Sequence, residues 1–285
     1  MGDARSPFAL KLERQGANPV SRHPSLSAAQ VEQFVLDGYL RVDDAFPRDL
    51  ADTCRRLLWS AAGCAEDAPS TWTRPVVRIG EIPNPLFREA ANTPALCAAY
   101  DALVGPERWV PRGSLGSFPI RFPSPDDPGD CGWHIDASFG WEDEPDFLKW
   151  RVNVASKGRA LLMLFLFSDV GESDAPTRIR VGSHFDIARR LAPNGRDGMT
   201  IAELASTGFS ESSSRPETLA TGAAGTVYLC HPFLVHSAQP HRGRVPRFLA
   251  QPALLPRVPL DPMRTDGNAS PVERAIRIAL ETCGT

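Results

Sequence analysis

Apolar positions recur at helical spacing in the first third of the chain and at strand spacing after it. In SLSAAQVEQFVLDGYL, Val31, Phe34 and Val35 lie on one helical face behind a serine cap, and Asp37-Gly38 predicts the helix end. YLRVDDAF follows as a strand. PRDLADTCRRLLWSAAG predicts a second helix, with Pro47 at its start and Leu50, Cys54, Leu57 and Leu58 on one face. TPALCAAYDALVG, residues 93–105, predicts a third, ended by Gly105. From residue 109, proline and glycine punctuate short β-prone runs: WVPRGSLGSFPIRF, GWHIDASF, KWRVNVA, RALLMLFLFSD, TRIRVGS, GTVYLCHPFLVHS and RFLAQPALL. Such spacing predicts a sandwich or barrel, not βαβ units.

SPVERAIRIALE predicts a last amphipathic helix, with Ser270 as cap and Pro271 at its first position. The serine-rich stretch ASTGFSESSSRPET, 205–218, is expected to be a mobile loop, and residues 1–24 are polar and aperiodic. The fold class expected is mainly β with flanking helices. Residues 1–285 form one domain in this reading: helices over 25–105 packing on a β core over 109–256, and a C-terminal helix over 270–282.

Composition narrows the function classes. With 285 residues, 42% hydrophobic and 23% charged, this is an ordinary globular chain that needs no disulfide staples. A net charge of −3 argues against general nucleic-acid binding. Cys54, Cys64, Cys97, Cys131, Cys230 and Cys283 show neither CxxC nor knuckle spacing, so reduced thiols and a cytoplasmic location are expected. MGDARSPFALKLERQG has no secretory apolar core, and its loose myristoylation pattern lacks a second anchor. ALLMLFLF, 160–167, is too short to span a bilayer, so no membrane partner is expected.

Chemistry concentrates in CGWHIDASFG, 131–140. If this segment is extended, His134 and Asp136 project to the same face, either as a hydrogen-bonded pair or as part of a metal site. A second segment, 225–255, places His236 near a strand end and is expected to turn at PHRGRVP, bringing Arg247 opposite or nearly opposite His236. Alternation then puts Arg247, Leu249 and Gln251 on one face, and Phe248 and Ala250 on the other. An inward-facing arginine is costly unless it meets an anion, and its fork suits a carboxylate. Two imidazoles and one carboxylate on one β face make the facial triad of non-haem Fe(II) oxygenases.

The pattern His134-x-Asp136, His236, then Arg247 eleven positions on, together with FVLDGYLRV, APTRIRVGSHF and CHPFLVHSAQPHRGRVPRF, resembles the phytanoyl-CoA dioxygenase family of Fe(II)/2-oxoglutarate oxygenases over most of residues 30–280. The resemblance implies a double-stranded β-helix, a jelly roll of cupin type. It implies that His134, Asp136 and His236 bind iron and that Arg247 holds the distal carboxylate of 2-oxoglutarate, with O2 as the other cosubstrate. The implied reaction is hydroxylation of an unactivated C–H bond in a small-molecule substrate, with succinate and CO2 as co-products. Val181 replaces a frequent proline and Ala238 a usual serine; Asp136 is retained where related halogenases carry a small residue, which favours hydroxylation over halogenation.

Ser117 and Arg121 stand where relatives place cosubstrate contacts. Arg178, Arg180 and Arg78 are candidates for contacts to a substrate, which an arginine would suit best if acidic. Trp141 belongs to FGWEDEPDFLKW, either a lid or a surface loop with its aromatics tucked inward. His231 is expected to be structural, His184 a turn or supporting residue, His241 solvated in its turn, and His23 part of the ragged N-terminus. The same ligands serve desaturation, epimerisation or cyclisation equally well. A non-catalytic jelly-roll binder or structural zinc protein is the alternative of another class, but it has no use for a buried Arg247.

Overall fold

The computed structural model describes residues 25–282; His23, the MGDARS pattern and Cys283 lie outside the described residues. The first helices form where the apolar periodicity places them. Helix α1 (Ala28–Asp37) starts at a Ser27–Gln30 capping box and buries Phe34 and Val35. It ends at Gly38, whose φ of 80° suits glycine. A Cβ there would lie 2.4 Å from His184 Nδ1, so the chain reversal also depends on close packing. Strand β1 (Tyr39–Val42) and helix α2 (Arg48–Ala62) follow, the latter burying Leu50, Cys54, Leu58 and Trp59.

Strand β2 (Val76–Ile79) leads to α3 (Pro85–Ala91), capped by Asn84, and α4 (Pro94–Val104), capped by Thr93. After β3 (Trp109–Val110), β4 (Phe118–Arg121) and β5 (Arg151–Val152) comes β6 (Leu161–Leu166). Strand β7 (Thr177–Arg180) runs into α5 (Ser183–Leu191), and β8 (Met199–Thr200) into α6 (Ile201–Ala205). The remaining elements are β9 (Glu217–Ala220), β10 (Val227–Cys230), β11 (His236–Ser237), β12 (Leu249–Ala250), β13 (Ala253–Pro256) and α7 (Pro271–Glu281).

Two antiparallel sheets face each other as a double-stranded β-helix. The larger runs β1-β10-β6-β13-β3, with β12 also on β6; the smaller runs β11-β7-β9. Strand β6 explains the unbroken run ALLMLFLF. Leu162, Leu164 and Leu166 enter the cluster between the sheets with Ile179 and Leu249, while Leu161, Met163 and Phe165 face the helical layer. Phe46 packs there on Phe165 and Phe167, with ring centroids 5.8 and 5.2 Å away. Both faces are dry, so alternation vanishes from the sequence. Each fully buried Leu or Phe side chain stabilises the fold by roughly 2 kcal/mol.

The hairpin expected between His236 and Arg247 is not formed. His236 pairs with Ile179 in the smaller sheet, whereas Leu249 pairs with Leu166 in the larger. The PHRGRVP turn therefore crosses between sheets. The predicted alternation nonetheless holds: Leu249 points between the sheets, and Phe248 and Ala250 join the helix-side cluster.

Residues 205–218 form a largely exposed loop, anchored where Phe209 and Ser212 are buried and Arg180 Nη1 donates to Phe209 O (2.8 Å) and Ser212 Oγ (3.1 Å). One further expectation needs correction. His241 is buried rather than solvated; its Nε2 donates to Val245 O at 2.8 Å and its Nδ1 accepts from Gly243 N–H. Among the described residues the cysteines are unpaired, and no helix is long and apolar enough to cross a membrane.

Candidate metal centre

His134 and His236 face each other across an antiparallel bridge: each backbone N–H donates to the other's carbonyl, at 2.9 and 3.0 Å. Their ring centroids lie 4.3 Å apart. Asp136, two residues beyond His134, turns to the same space, and one ligand atom from each of the three lies within 4.8 Å of the others. No second such group occurs among the described residues. A cross-strand pair plus an i, i+2 neighbour thus gathers the three side chains from two segments a hundred residues apart.

Each imidazole is oriented by its own chain. His134 Nδ1 contacts Gly132 O at 2.9 Å and His236 Nδ1 contacts Leu234 O at 3.0 Å. A carbonyl only accepts, so both Nδ1 atoms carry the proton and both Nε2 lone pairs are left for a metal. Burial, then the neighbouring His134, lowers the His236 pKa to about 4. Burial alone would raise the Asp136 carboxyl, but Arg159 and the two imidazoles hold it below its usual range. At neutral pH, then, His236 is a neutral donor and Asp136 an anionic one, the protonation states a metal ion requires. A donor set of two neutral imidazoles and one carboxylate, with no thiolate, fits Fe(II) with positions left open for other ligands.

Arg159 was not singled out in the sequence. Its Nη1 lies 3.2 Å from Asp136 Oδ2, while Nε and Nη2 donate to Ala137 O at 3.3 Å. Gly158 permits this approach, because a Cβ there would fall 1.9 Å from Ser138 O. The available signal was a lone arginine set directly against the apolar run of β6.

Arg247 and Arg121 form a second cross-strand bridge, with backbone hydrogen bonds of 2.8 and 3.0 Å. Both side chains are buried. Arg247 donates to Ala175 O and, at 3.2 Å, to Pro119 O, but its Nε has no partner among the described residues; Arg121 Nε and Nη1 are likewise buried without one there. Burial, then Arg121, pulls the Arg247 pKa down to about 9. Arg78, Arg121, Asp130, His134, Arg247 and Gln251 line a cavity of about 130 Å³. Larger hollows of about 480 and 600 Å³ lie elsewhere and contain none of the three candidate ligands, so volume does not locate the chemistry. Unpartnered guanidinium N–H groups in a cavity reaching His134 fit a compact dicarboxylate.

The other candidates are dispersed. Ser117 is exposed and gives only its carbonyl, to Gln251 N–H at 3.0 Å. Arg178 and Arg180 alternate with Thr177, which lines the cavity, and stack instead on Trp133 at 4.5 and 4.1 Å. Arg78 stands at the cavity's solvent end, paired with Asp130. In the 139–150 segment, Phe139 bridges Arg151 and Trp150 Nε1 donates to Glu144 O, whereas Trp141 and Phe147 are 41% and 50% exposed. His184 and His231 are buried in the helical layer, away from the triad.

No protein-family model and no curated protein matches the sequence. Solved structures do match in fold. A non-heme alpha ketoglutarate dependent carbocyclase, SnoK from nogalamycin biosynthesis, superposes with a TM-score of 0.54 at 15% identity, over 81% of this chain and 84% of its own. EctD from S. alaskensis, with 2-oxoglutarate and 5-hydroxyectoine, gives 0.53 at 20% identity over 82% and 76%. The epimerase SnoN, also from nogalamycin biosynthesis and alpha ketoglutarate dependent, gives 0.51 at 15% identity over 78% of each chain. The chain thus shares the double-stranded β-helix of these proteins.

Proposed function

We propose that this chain is an Fe(II)- and 2-oxoglutarate-dependent oxygenase that hydroxylates an unactivated C–H bond of a small molecule. The observation that carries the reading is the convergence of His134, Asp136 and His236 beside a cavity holding two buried guanidinium groups with unpartnered N–H donors. His134, Asp136 and His236 hold the metal, Arg247 takes the distal carboxylate of the cosubstrate, and Arg121 adds positive charge beside it. Bound iron with 2-oxoglutarate and O2 supplies the oxidising power, releasing succinate and CO2. The chain's part is to fix both imidazoles through Gly132 and Leu234, to keep Asp136 ionised through Arg159, and to exclude water with the apolar wall between the sheets. Membership of the phytanoyl-CoA dioxygenase family is the narrower form of this reading.

A second outcome is supported by the fold neighbours: SnoK is a carbocyclase and SnoN an epimerase on the same cosubstrate. Cyclisation or epimerisation would need the same ligands and differ only in how the substrate sits. The test is anaerobic titration of the metal-free protein with Fe(II) and then 2-oxoglutarate, following the weak visible charge-transfer band. The band is expected to require His134 and to weaken sharply in Arg247→Ala. No band, together with tight zinc binding, would sink the oxygenase reading. Once a substrate is found, an added oxygen atom in the product separates hydroxylation from the other outcomes.

A further inference from the structure

The cavity beside His134 holds more positive charge than one carboxylate needs. Arg247 and Arg121 form its dry wall, each 1% exposed. Arg78, its side chain 57% exposed, stands at the solvent end. Against these three cations there is, among the described residues, one anion in the lining, Asp130. Its two carboxylate oxygens accept from Arg121 Nη2 at 2.6 and 2.7 Å, and one also accepts from Arg78. Asp130 sits in the loop PSPDDPGDC, outside any strand, so its place is set by these two arginines and not by a ladder. Burial alone would raise its carboxyl, but Arg121 and Arg78 hold it below the usual range, so it carries its charge at neutral pH.

We infer that Asp130 is a specificity-determining residue: a built-in counter-charge that cancels one of the three guanidinium groups and thereby limits how steeply the cavity favours ligands of higher negative charge. The inference rests on reading this cavity as the cosubstrate site. Three guanidinium groups less one carboxylate leave the cavity wall with two positive charges, in addition to those of the metal ion and Asp136, which are the same in the wild type and in an Asp130 variant. The repulsion Asp130 exerts scales with ligand charge. Removing it therefore steepens the dependence of affinity on ligand charge instead of shifting every affinity alike. Because Asp130 is partly open to solvent, the expected effect is about tenfold per added ligand charge, screened by salt.

Three probes bracket the effect: 2-oxopentanoate, 2-oxoglutarate and propane-1,2,3-tricarboxylate, with one, two and three negative charges. The first two have the same chain length and differ at the distal end. Binding to the Ni(II)-loaded full chain is measured by calorimetry at low and high salt. In Asp130→Asn, the preference for 2-oxoglutarate over 2-oxopentanoate is expected to rise about tenfold, with a further gain for the tricarboxylate. Arg78→Gln, which removes an exposed cation and spares the core, is expected to shift both ratios the other way. Equal weakening of all three ligands in Asp130→Asn would mean that Asp130 only anchors Arg121 and would overturn the inference, as would unchanged ratios. If Asp130→Asn does not fold, the Arg78→Gln ratios decide it. A wild-type protein that binds Ni(II) but not 2-oxoglutarate overturns the cosubstrate reading instead.

Discussion

Arg121 and Arg247 are directly opposed residues of an antiparallel bridge, both buried, with three of their N–H-bearing atoms lacking partners. Like charges so placed destabilise a sheet unless an anion joins them. A dicarboxylate should accordingly stabilise the fold itself. At a ligand concentration of 100 times Kd the gain is about 2.7 kcal/mol, visible as a rise in the unfolding midpoint. In Arg247→Met the gain from 2-oxoglutarate should vanish while the ligand-free protein stays folded. A variant that responds to 2-oxoglutarate like wild type would remove Arg247 from the ligand site.

The Asp136–Arg159 pair has a separate consequence. With Arg159 replaced by Met, burial is the main influence left on the Asp136 carboxyl, and burial raises it. Metal affinity should fall roughly 10- to 100-fold, the usual cost of losing a partner of a metal ligand. The acid limb of metal retention should also move to higher pH. Gly158→Ala should weaken metal binding in the same direction, since its Cβ must push the 156–159 turn away from Ser138 O. Metal titration across pH checks both, and an unshifted acid limb in Arg159→Met would break the link.

How far the sequence could be read depended on whether an element is defined by its own residues. His134-x-Asp136 was legible because i, i+2 spacing puts both side chains on one face in any extended segment. The helices α1, α4 and α7 carry recognisable caps and α2 a proline start, and all have ten or more residues to show their period. Helix α5 has nine residues and begins at Gly182 in the left-handed region, with no side-chain cap to announce it. Which sheet the 247–251 segment rejoins was not legible, because the turn chemistry of PHRGRVP is the same whether the strands pair or part. Arg159 stands out only as an arginine beside an apolar run; that it meets Asp136, through the close fit of Gly158 on Ser138, is a tertiary fact that this position does not reveal.

Glu273 on α7 is fully buried and accepts from the backbone N–H groups of Asp261 and Ser270, both at 2.8 Å. It also pairs with Arg108. It thus ties α7 to the start of β3 while completing the cap of its own helix. Glu273→Ala leaves Arg108 half-buried without its carboxylate and should cost roughly 3–5 kcal/mol. Urea unfolding measures this directly; a loss below about 1 kcal/mol, as for an exposed pair, would mean the contact is not formed.

The buried pair His184 and His231, ring centroids 4.9 Å apart, should contribute to the acid sensitivity of the fold. His184 Nε2 donates to Val35 O at 3.0 Å, and His231 contacts Val272 O at 3.3 Å, so the pair joins α1, α5 and α7 to the segment after β10. Burial lowers the His184 pKa to about 4 and puts that of His231 well below its ordinary value. In the unfolded chain both protonate near 6.5. Between those limits the unfolded state binds more protons, so stability present above pH 6.5 is lost as the pH falls towards 4. Each histidine should remove roughly 2 kcal/mol between pH 7 and pH 5, at a limiting slope of about 1.4 kcal/mol per pH unit. Denaturant unfolding at the two pH values measures this loss together with those of His236 and His241, whose pKa values burial also lowers. His184→Asn keeps a donor for Val35 but cannot titrate, so it should reduce the pH-dependent loss by about 2 kcal/mol even if it lowers stability at pH 7. An unchanged loss in that variant would show that the acid sensitivity arises elsewhere in the fold.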